Sequence, residues 1–348
     1  MSASSSLRAG VVLAAIAAVA FGLTTPIVAW AGQGLGPLAT ASLLYLGAAV
    51  AAAVLRIVRG HAEAPLRRAD LGRVVAVALV GGALAPTLLA WGLQRAGATV
   101  GSLLLNLEAV FTVLLAWVWF REPIGPRVAL ALLAMLGGGA ALTAEAWGAT
   151  RWGLAGILAV AGATAAWAVD NTLTRPLAER DPLEVVASKG GLGALVTAIT
   201  AVLAGEAWPS PTAATVLLLC GATGYGLSLR LYLLAQRRIG AGRTGSVFAL
   251  APFIGAAVAT ALGNRTGGEW TAVAAVLFAL GVYLHLTERH AHPHQHPALA
   301  HDHLHRHLDP HHAHTHDPPF VGEHAHPHQH DALAHDHEHA PDVHHDHH

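Results

Sequence analysis

The chain has 348 residues, of which 54% are hydrophobic and only 12% charged, with a mean hydropathy of +0.49. A soluble domain carries about a quarter charged residues, so that class is excluded for most of the chain. The single cysteine, Cys220, also rules out an intramolecular disulfide framework and any cysteine-based zinc or iron–sulfur site. The formal net charge of −1 hides two unlike regions and carries no nucleic-acid footprint. Residues 290–348 hold 23 of the 25 histidines, nine acids and one base, Arg306, whereas residues 1–289 hold 19 bases and 12 acids.

A helix crossing the hydrocarbon core needs about 20 mostly apolar residues. Runs of that kind lie at 10–31, 37–57, 74–94, 98–119, 127–145, 152–172, 184–204, 212–235, 244–263 and 270–287. Gly, Pro and charge punctuate them, as in Gly34-Leu35-Gly36-Pro37 and Asn264-Arg265-Thr266-Gly267-Gly268. Long uninterrupted runs argue against a β-barrel, whose strands alternate. The expected fold is an all-α integral membrane protein with ten transmembrane helices. A cleaved signal peptide ending at Ala29-Trp30-Ala31 is the competing reading of the first run, but the run exceeds the usual apolar length of about 7–15 residues.

Charge placement tests the count. With a cytoplasmic N-terminus, fifteen bases fall in inner segments, from Arg8 through Arg56, Arg121 and Lys189 to Arg289, against Arg95, Arg151 and Arg265 outside. That is the positive-inside bias, and one span more or fewer would scramble it. Trp30, Trp91, Trp147, Trp152, Trp208 and Trp270 fall near the outer interface, where indole rings favour the headgroups. Both termini are therefore expected in the cytoplasm of a bacterial-type cell, with the body in its cytoplasmic (inner) membrane.

Leu93-Gln94-Arg95-Ala96-Gly97-Ala98 closes the third run and Ala235-Gln236-Arg237-Arg238-Ile239-Gly240-Ala241 the eighth. Five spans per half, an odd number, forces two such halves into opposite orientations, an inverted repeat of the kind that secondary transporters use. The stretches Leu103-Leu104-Leu105-Asn106-Leu107-Glu108-Ala109-Val110-Phe111, Arg121-Glu122-Pro123, Trp167-Ala168-Val169-Asp170-Asn171 and Ala251-Pro252-Phe253 resemble the drug/metabolite transporter superfamily, specifically EamA-type permeases. The resemblance covers about residues 10–288 and implies five plus five spans, with halves at 1–145 and 146–289 and a separate region at 290–348. It also implies, by analogy, export of a small organic solute. Two departures stand out: Ala109 occupies a position where the family often has proline, so the fourth helix is expected to be straighter, and Asn264-Arg265 replaces an acidic turn.

Three charged residues are read as lying well inside predicted spans, away from their ends: Glu108, Asp170 and Arg230. Even mild scales charge about 3 kcal/mol for such a group at the membrane centre, so it normally faces protein or water. Together with Asn171 they are expected to line or border a central cavity, Glu108 as a proton or substrate carrier and Asp170–Arg230 as a gate or anion contact. The plainer alternative makes Asp170–Arg230 a structural ion pair and leaves Glu108 satisfied by a neighbouring hydroxyl or amide. Pro86 and Pro252 sit near the middles of the third and ninth spans and leave the carbonyls near Gly82 and Phe248 without their usual partners. Each marks a helix break that lines a cavity or only curves its helix.

From His290 the chain is low-complexity and duplicates itself. Residues 290–305 recur at 324–339 with 14 of 16 positions identical. The candidate metal ligands are His290, His292, His294, His296, His301, His303, His305 and His307 in the first copy and its margin, and His324, His326, His328, His330, His335, His337 and His339 in the second. Neutral imidazole binds zinc, nickel, cobalt and copper(II), and the interspersed aspartates add oxygen ligands. With few apolar residues the tail is expected to be disordered when free.

No predicted span contains a histidine in its interior, so the preferred reading is a metabolite permease with a metal-sensing or metal-buffering tail. A nickel, cobalt or zinc permease that uses the tail as donor or acceptor is one alternative, and a membrane-anchored metal store another. Transport itself needs no cofactor on this reading. The expected partners are the lipid bilayer, a small-molecule substrate and a metal ion, with no nucleic acid and with a homodimer left open. No His-Glu-x-x-His, Gly-x-Ser-x-Gly or phosphate-binding loop argues for an enzyme.

Overall fold

The computed structural model describes residues 3–59, 64–121, 124–149, 151–177, 180–207, 209–239, 241–264, 268–287, 291–296, 299–305, 324–330 and 333–338. Glu122, Pro123, Trp208, His290, His307 and His339 lie outside the described residues. Among those described, nine helices are long and apolar enough to cross a membrane.

The first span is α1 (Ala3–Gly22) and α2 (Thr24–Ala31), and the second is α3 (Pro37–Arg59). The third joins α4 (Leu71–Val77) and α5 (Ala85–Ala96) through a π-helical stretch, Ala78–Leu84. The fourth comprises α6 (Ala98–Leu104) and α7 (Leu107–Phe120), followed by α8 (Pro126–Ala149), α9 (Arg151–Thr174) and α10 (Pro182–Leu203). The eighth runs from α11 (Pro211–Cys220) through a second π stretch, Gly221–Leu227, into α12 (Ser228–Ile239). The ninth is two shorter helices, α13 (Ala241–Phe248) and α14 (Ala251–Ala261), and the tenth is α15 (Glu269–Leu286). Pro37, Pro126, Pro182 and Pro211 each open a helix, where a missing N–H costs nothing. Asp181 and Ser210 cap the last two of these by accepting from the N–H groups of Leu183 and Ala213.

The fourth span departs from the straighter helix expected of it. It breaks at Leu105–Asn106 although Ala109 stands in place of proline. The Asn106 side chain donates to the Leu103 carbonyl at 2.9 Å, and the N–H groups of Leu105, Asn106 and Glu108 bond three residues back. A local side-chain bond of this kind competes with the α pattern and tightens the turn. The ninth span breaks at Ala249–Leu250, two residues before Pro252.

These irregularities carry the repeat. Spans three and eight both hold π stretches, and spans four and nine are both split. Packing follows the same rule: α3 runs along α10, α8 along α15, α5 along α9, α1 along α12 and α6 against α14. The π stretch of the eighth span packs on α3, and that of the third on α10. Exchanging each span with the one five places away turns this set of neighbours into itself.

The interior is built of small residues. Ala14, Ala17, Ala18, Ala163 and Ala168 are buried to 1% exposure or less, while Leu133, Leu158, Leu203 and Val276 face outward at 61–82%. That inversion suits a bundle held by close helix approach within lipid. Gly193 shows how close: a Cβ there would meet the Gly82 backbone at 2.7 Å. Gly193→Val should therefore lower stability by about 1–3 kcal/mol through overpacking, whereas Gly191→Val, with nothing within 4 Å of its Cβ position, should not. Thermal melting of the two variants in detergent checks this.

The tail contributes four short strands: β1 (Ala291–His296), β2 (Leu299–His305), β3 (His324–His330) and β4 (Leu333–Glu338). β1 pairs antiparallel with β4, and β2 with β3. Each ladder has only two strands and few large apolar residues, Leu299, Leu304 and Leu333, which leaves it marginal in water on its own. These paired strands depart from the disorder expected of the free tail.

Candidate functional site

The site begins with a backbone carbonyl. In a π turn the carbonyl of residue i is met by the N–H of residue i+5, and the N–H of Ala85 indeed reaches Val80. Gly81 has then lost its α-helical partner, Ala85, and its π-helical partner is Pro86, which has no N–H. Two aromatic side chains fill the vacancy. Tyr45 Oη donates to the Gly81 oxygen at 2.6 Å, and Trp167 Nε1 at 3.2 Å. The indole N–H also lies 3.3 Å from Tyr45 Oη. The expected free carbonyl at Gly82 is thus displaced by one residue, because the helix widens before the proline.

At this node Tyr45 links the two π stretches. Tyr225, inside the second of them, stacks its ring 5.5 Å from Tyr45 and 6.4 Å from Trp167, with Phe21 at 5.7 Å on another side. Spans one, two, six and eight thereby supply one aromatic cluster.

Two polar pairs lie beside it, both organised by α9. Asp170 is 3% exposed and forms an ion pair with Lys189 of α10. Its carboxylate lies over Gly81, where a Cβ would overlap it, so the glycine opens the path by which Lys189 reaches across the π stretch. Asp170 Oδ1 keeps no hydrogen-bond partner among the described residues. The next residue, Asn171, points about 100° further round the helix and donates from Nδ2 to Glu108 Oε1 of α7 at 2.7 Å. Glu108 is half-buried and Asn171 exposed. One pair is shut in and the other is partly exposed.

Arg230 is not part of this arrangement as expected. It is 8% exposed on α12, a helix that packs along α1, and its Nε has no hydrogen-bond partner among the described residues. Asp170 takes Lys189 as its ion-pair partner instead, because α10 and α9 both pack on the π stretch of the third span. Lys189 is the residue that sequence reasoning missed. Its signal was a lysine lying seven residues inside an apolar helix, at Ser188-Lys189-Gly190-Gly191, where a topogenic base belongs at the end. Pro86 underlies the node, and Pro252 opens α14 after the split in the ninth span.

Below Lys189 a cleft of about 280 Å³ is lined by Ala53, Arg56, Ile57, Glu184, Ala187 and Ser188. Arg56 closes it by pairing with Asp181 at 2.8 Å and Glu184 at 3.0 Å, and Arg180 pairs with Asp70 at 2.8 Å nearby. At the other end Glu206 accepts from the N–H groups of Leu38 and Ala39, at the start of α3. Thr99 donates to the Asn264 carbonyl at 2.6 Å.

Among the described residues no three His, Cys, Asp or Glu side chains already converge as metal ligands would. Candidate ligands belong to the tail, where the strand register sets His292 opposite His337, His294 opposite His335, His301 opposite His328, His303 opposite His326 and His305 opposite His324. His296 faces Leu333, and His330 faces Leu299.

Comparison with known proteins follows the same division. The signature of the EamA-like transporter family matches residues 8–144 and again 154–287, once in each half. An uncharacterised transporter from Methanothermobacter thermautotrophicus (strain Delta H) is 26% identical over 237 residues, which is 65% of this chain and 67% of that one. A crystal structure superposes with a TM-score of 0.59 at 20% identity, covering 82% of this chain and 96% of its own. That last likeness speaks for the fold.

Proposed function

The chain belongs to the EamA-like transporter family, and from that premise we propose that it exports a small organic metabolite across the cytoplasmic membrane. On this reading it is no enzyme. Residues 1–145 and 146–289 are its two halves, and residues 290–348 are a cytoplasmic tail that binds a transition metal. The bias of basic residues, fourteen against three once Lys189 is set aside as the partner of Asp170, supports cytoplasmic termini.

The observation that carries the reading is the Asp170–Lys189 pair beside the Glu108–Asn171 pair, under an aromatic cluster where both halves lose helical regularity. Charge inside a membrane is costly and marks a pathway, and interrupted helices are where repeat transporters hold their solutes. An ammonium, an amide and indole and phenol rings suit an organic solute. A divalent cation would meet Lys189 as a repelling neighbour and would find no imidazole or thiolate there. The histidine-rich tail favours a second reading, a nickel, cobalt or zinc permease fed or relieved by that tail.

Proteoliposomes holding the full chain, or the chain ended at Arg289, separate the readings. Counterflow of one member of an organic solute panel that survives truncation is the expected result. Metal flux that survives truncation supports the second reading. Metal retention that scales with histidine number, without flux of anything, supports a membrane-anchored store.

A further inference from the structure

Resting on the reading that the tail binds a transition metal, we infer that the two copies of its repeat build joint metal sites across the strand pair, and not one site per copy. The repeat starts His-x-His-x-His and ends His-x-His-x-His, so an antiparallel alignment of the two copies sets histidine against histidine. The register does this at His292/His337 and His294/His335, and it continues unshifted into the second ladder, at His301/His328 and beyond. The positions between them carry Pro293 opposite Asp336 and Asp302 opposite Pro327. Residues i and i+2 of a strand share a face. Histidine therefore occupies one face of each ladder, with proline and aspartate on the other.

The geometry of a two-stranded ladder then decides between the models. Paired Cα atoms are about 4.5–5.5 Å apart across the strands, and alternate residues lie about 7 Å apart along one strand. Positions 292, 294, 335 and 337 are thus the corners of a small rectangle on one face. Four ligands around a point are what a tetrahedral ion such as zinc takes, with metal–nitrogen distances near 2.0–2.1 Å. A single copy offers its histidines along one line, from which an ion is approached from one side only. Joint sites also make binding and folding one event: the ion supplies the stability that two strands without a core lack, and it draws together residues 41 and 45 apart in sequence.

Zinc titration of the purified full-length protein in detergent, scored by ions bound per chain, tests this. The variants are His292→Gln/His294→Gln, His335→Gln/His337→Gln and the two combined. A shared site predicts that either double variant loses one ion and that the combined variant loses the same one ion and no more. Two overturning results are clear. In one, the combined variant loses the sum of the two doubles; in the other, either double keeps the full complement. A wild-type chain that takes up no zinc overturns the metal-binding reading itself, and the wild-type titration tells that failure apart from a wrong arrangement.

Discussion

Lys189→Ala is expected to abolish transport and to lower the stability of the bundle by about 3–5 kcal/mol, the cost of leaving a buried charge without its partner. Asp170 is 3% exposed and one of its oxygens already lacks a hydrogen bond, so the second oxygen depends on Lys189. The adjoining wall at Gly81 has no side chain to offer in its place. Asp170→Asn combined with Lys189→Met removes both charges and should recover most of the lost stability, since a buried pair replaced by neutral groups of similar volume is often neutral to the fold. It should not recover transport. Thermal melting in detergent, with flux in proteoliposomes, reads the two properties separately. A combined variant that transports would make the pair a structural strut and remove it from the mechanism.

Why the sequence misassigned this pair is instructive. Hydropathy gives a residue's depth along a span, and Asp170 and Arg230 have similar depth. It says nothing about which spans adjoin. In the bundle α9 packs on α5, α7 and the π stretch of the third span, whereas α12 packs on α1. Glu108 falls near the middle of its span and Asn171 beside Asp170 towards the end of its own, so both could be grouped as polar residues of a pathway, but their direct bond depended on α7 and α9 being neighbours. The spans themselves were legible, since ten apolar runs and a one-sided charge bias are properties of composition. The break at Leu105–Asn106 was not, because it arises from one amide competing for a carbonyl, and Ala109 argued the other way. Pro86 announced a break but not its form: only the π turn explains why the orphan carbonyl is Gly81 and why a tyrosine and a tryptophan converge on it. In the tail the duplication was visible, while the pairing of one copy with the other was not.

Glu108→Gln is expected to reduce transport to background while changing stability by less than about 1 kcal/mol. The substitution keeps an oxygen that can accept from Asn171 Nδ2, now at 2.7 Å from the carboxylate, so the contact between α7 and α9 survives and only the charge is lost. Asn171→Leu makes the reverse change: it leaves Glu108 charged and removes its donor. Stranding a half-buried carboxylate in this way should cost about 1–3 kcal/mol, visible as a lower melting temperature. If Glu108 carries a proton or contacts the solute, transport follows the charge and fails fully in the glutamine variant. If it only fastens α9 to α7, transport follows the hydrogen bond and falls further in the leucine variant. The two proteins therefore rank in opposite orders under the two roles, and flux normalised to folded protein decides between them.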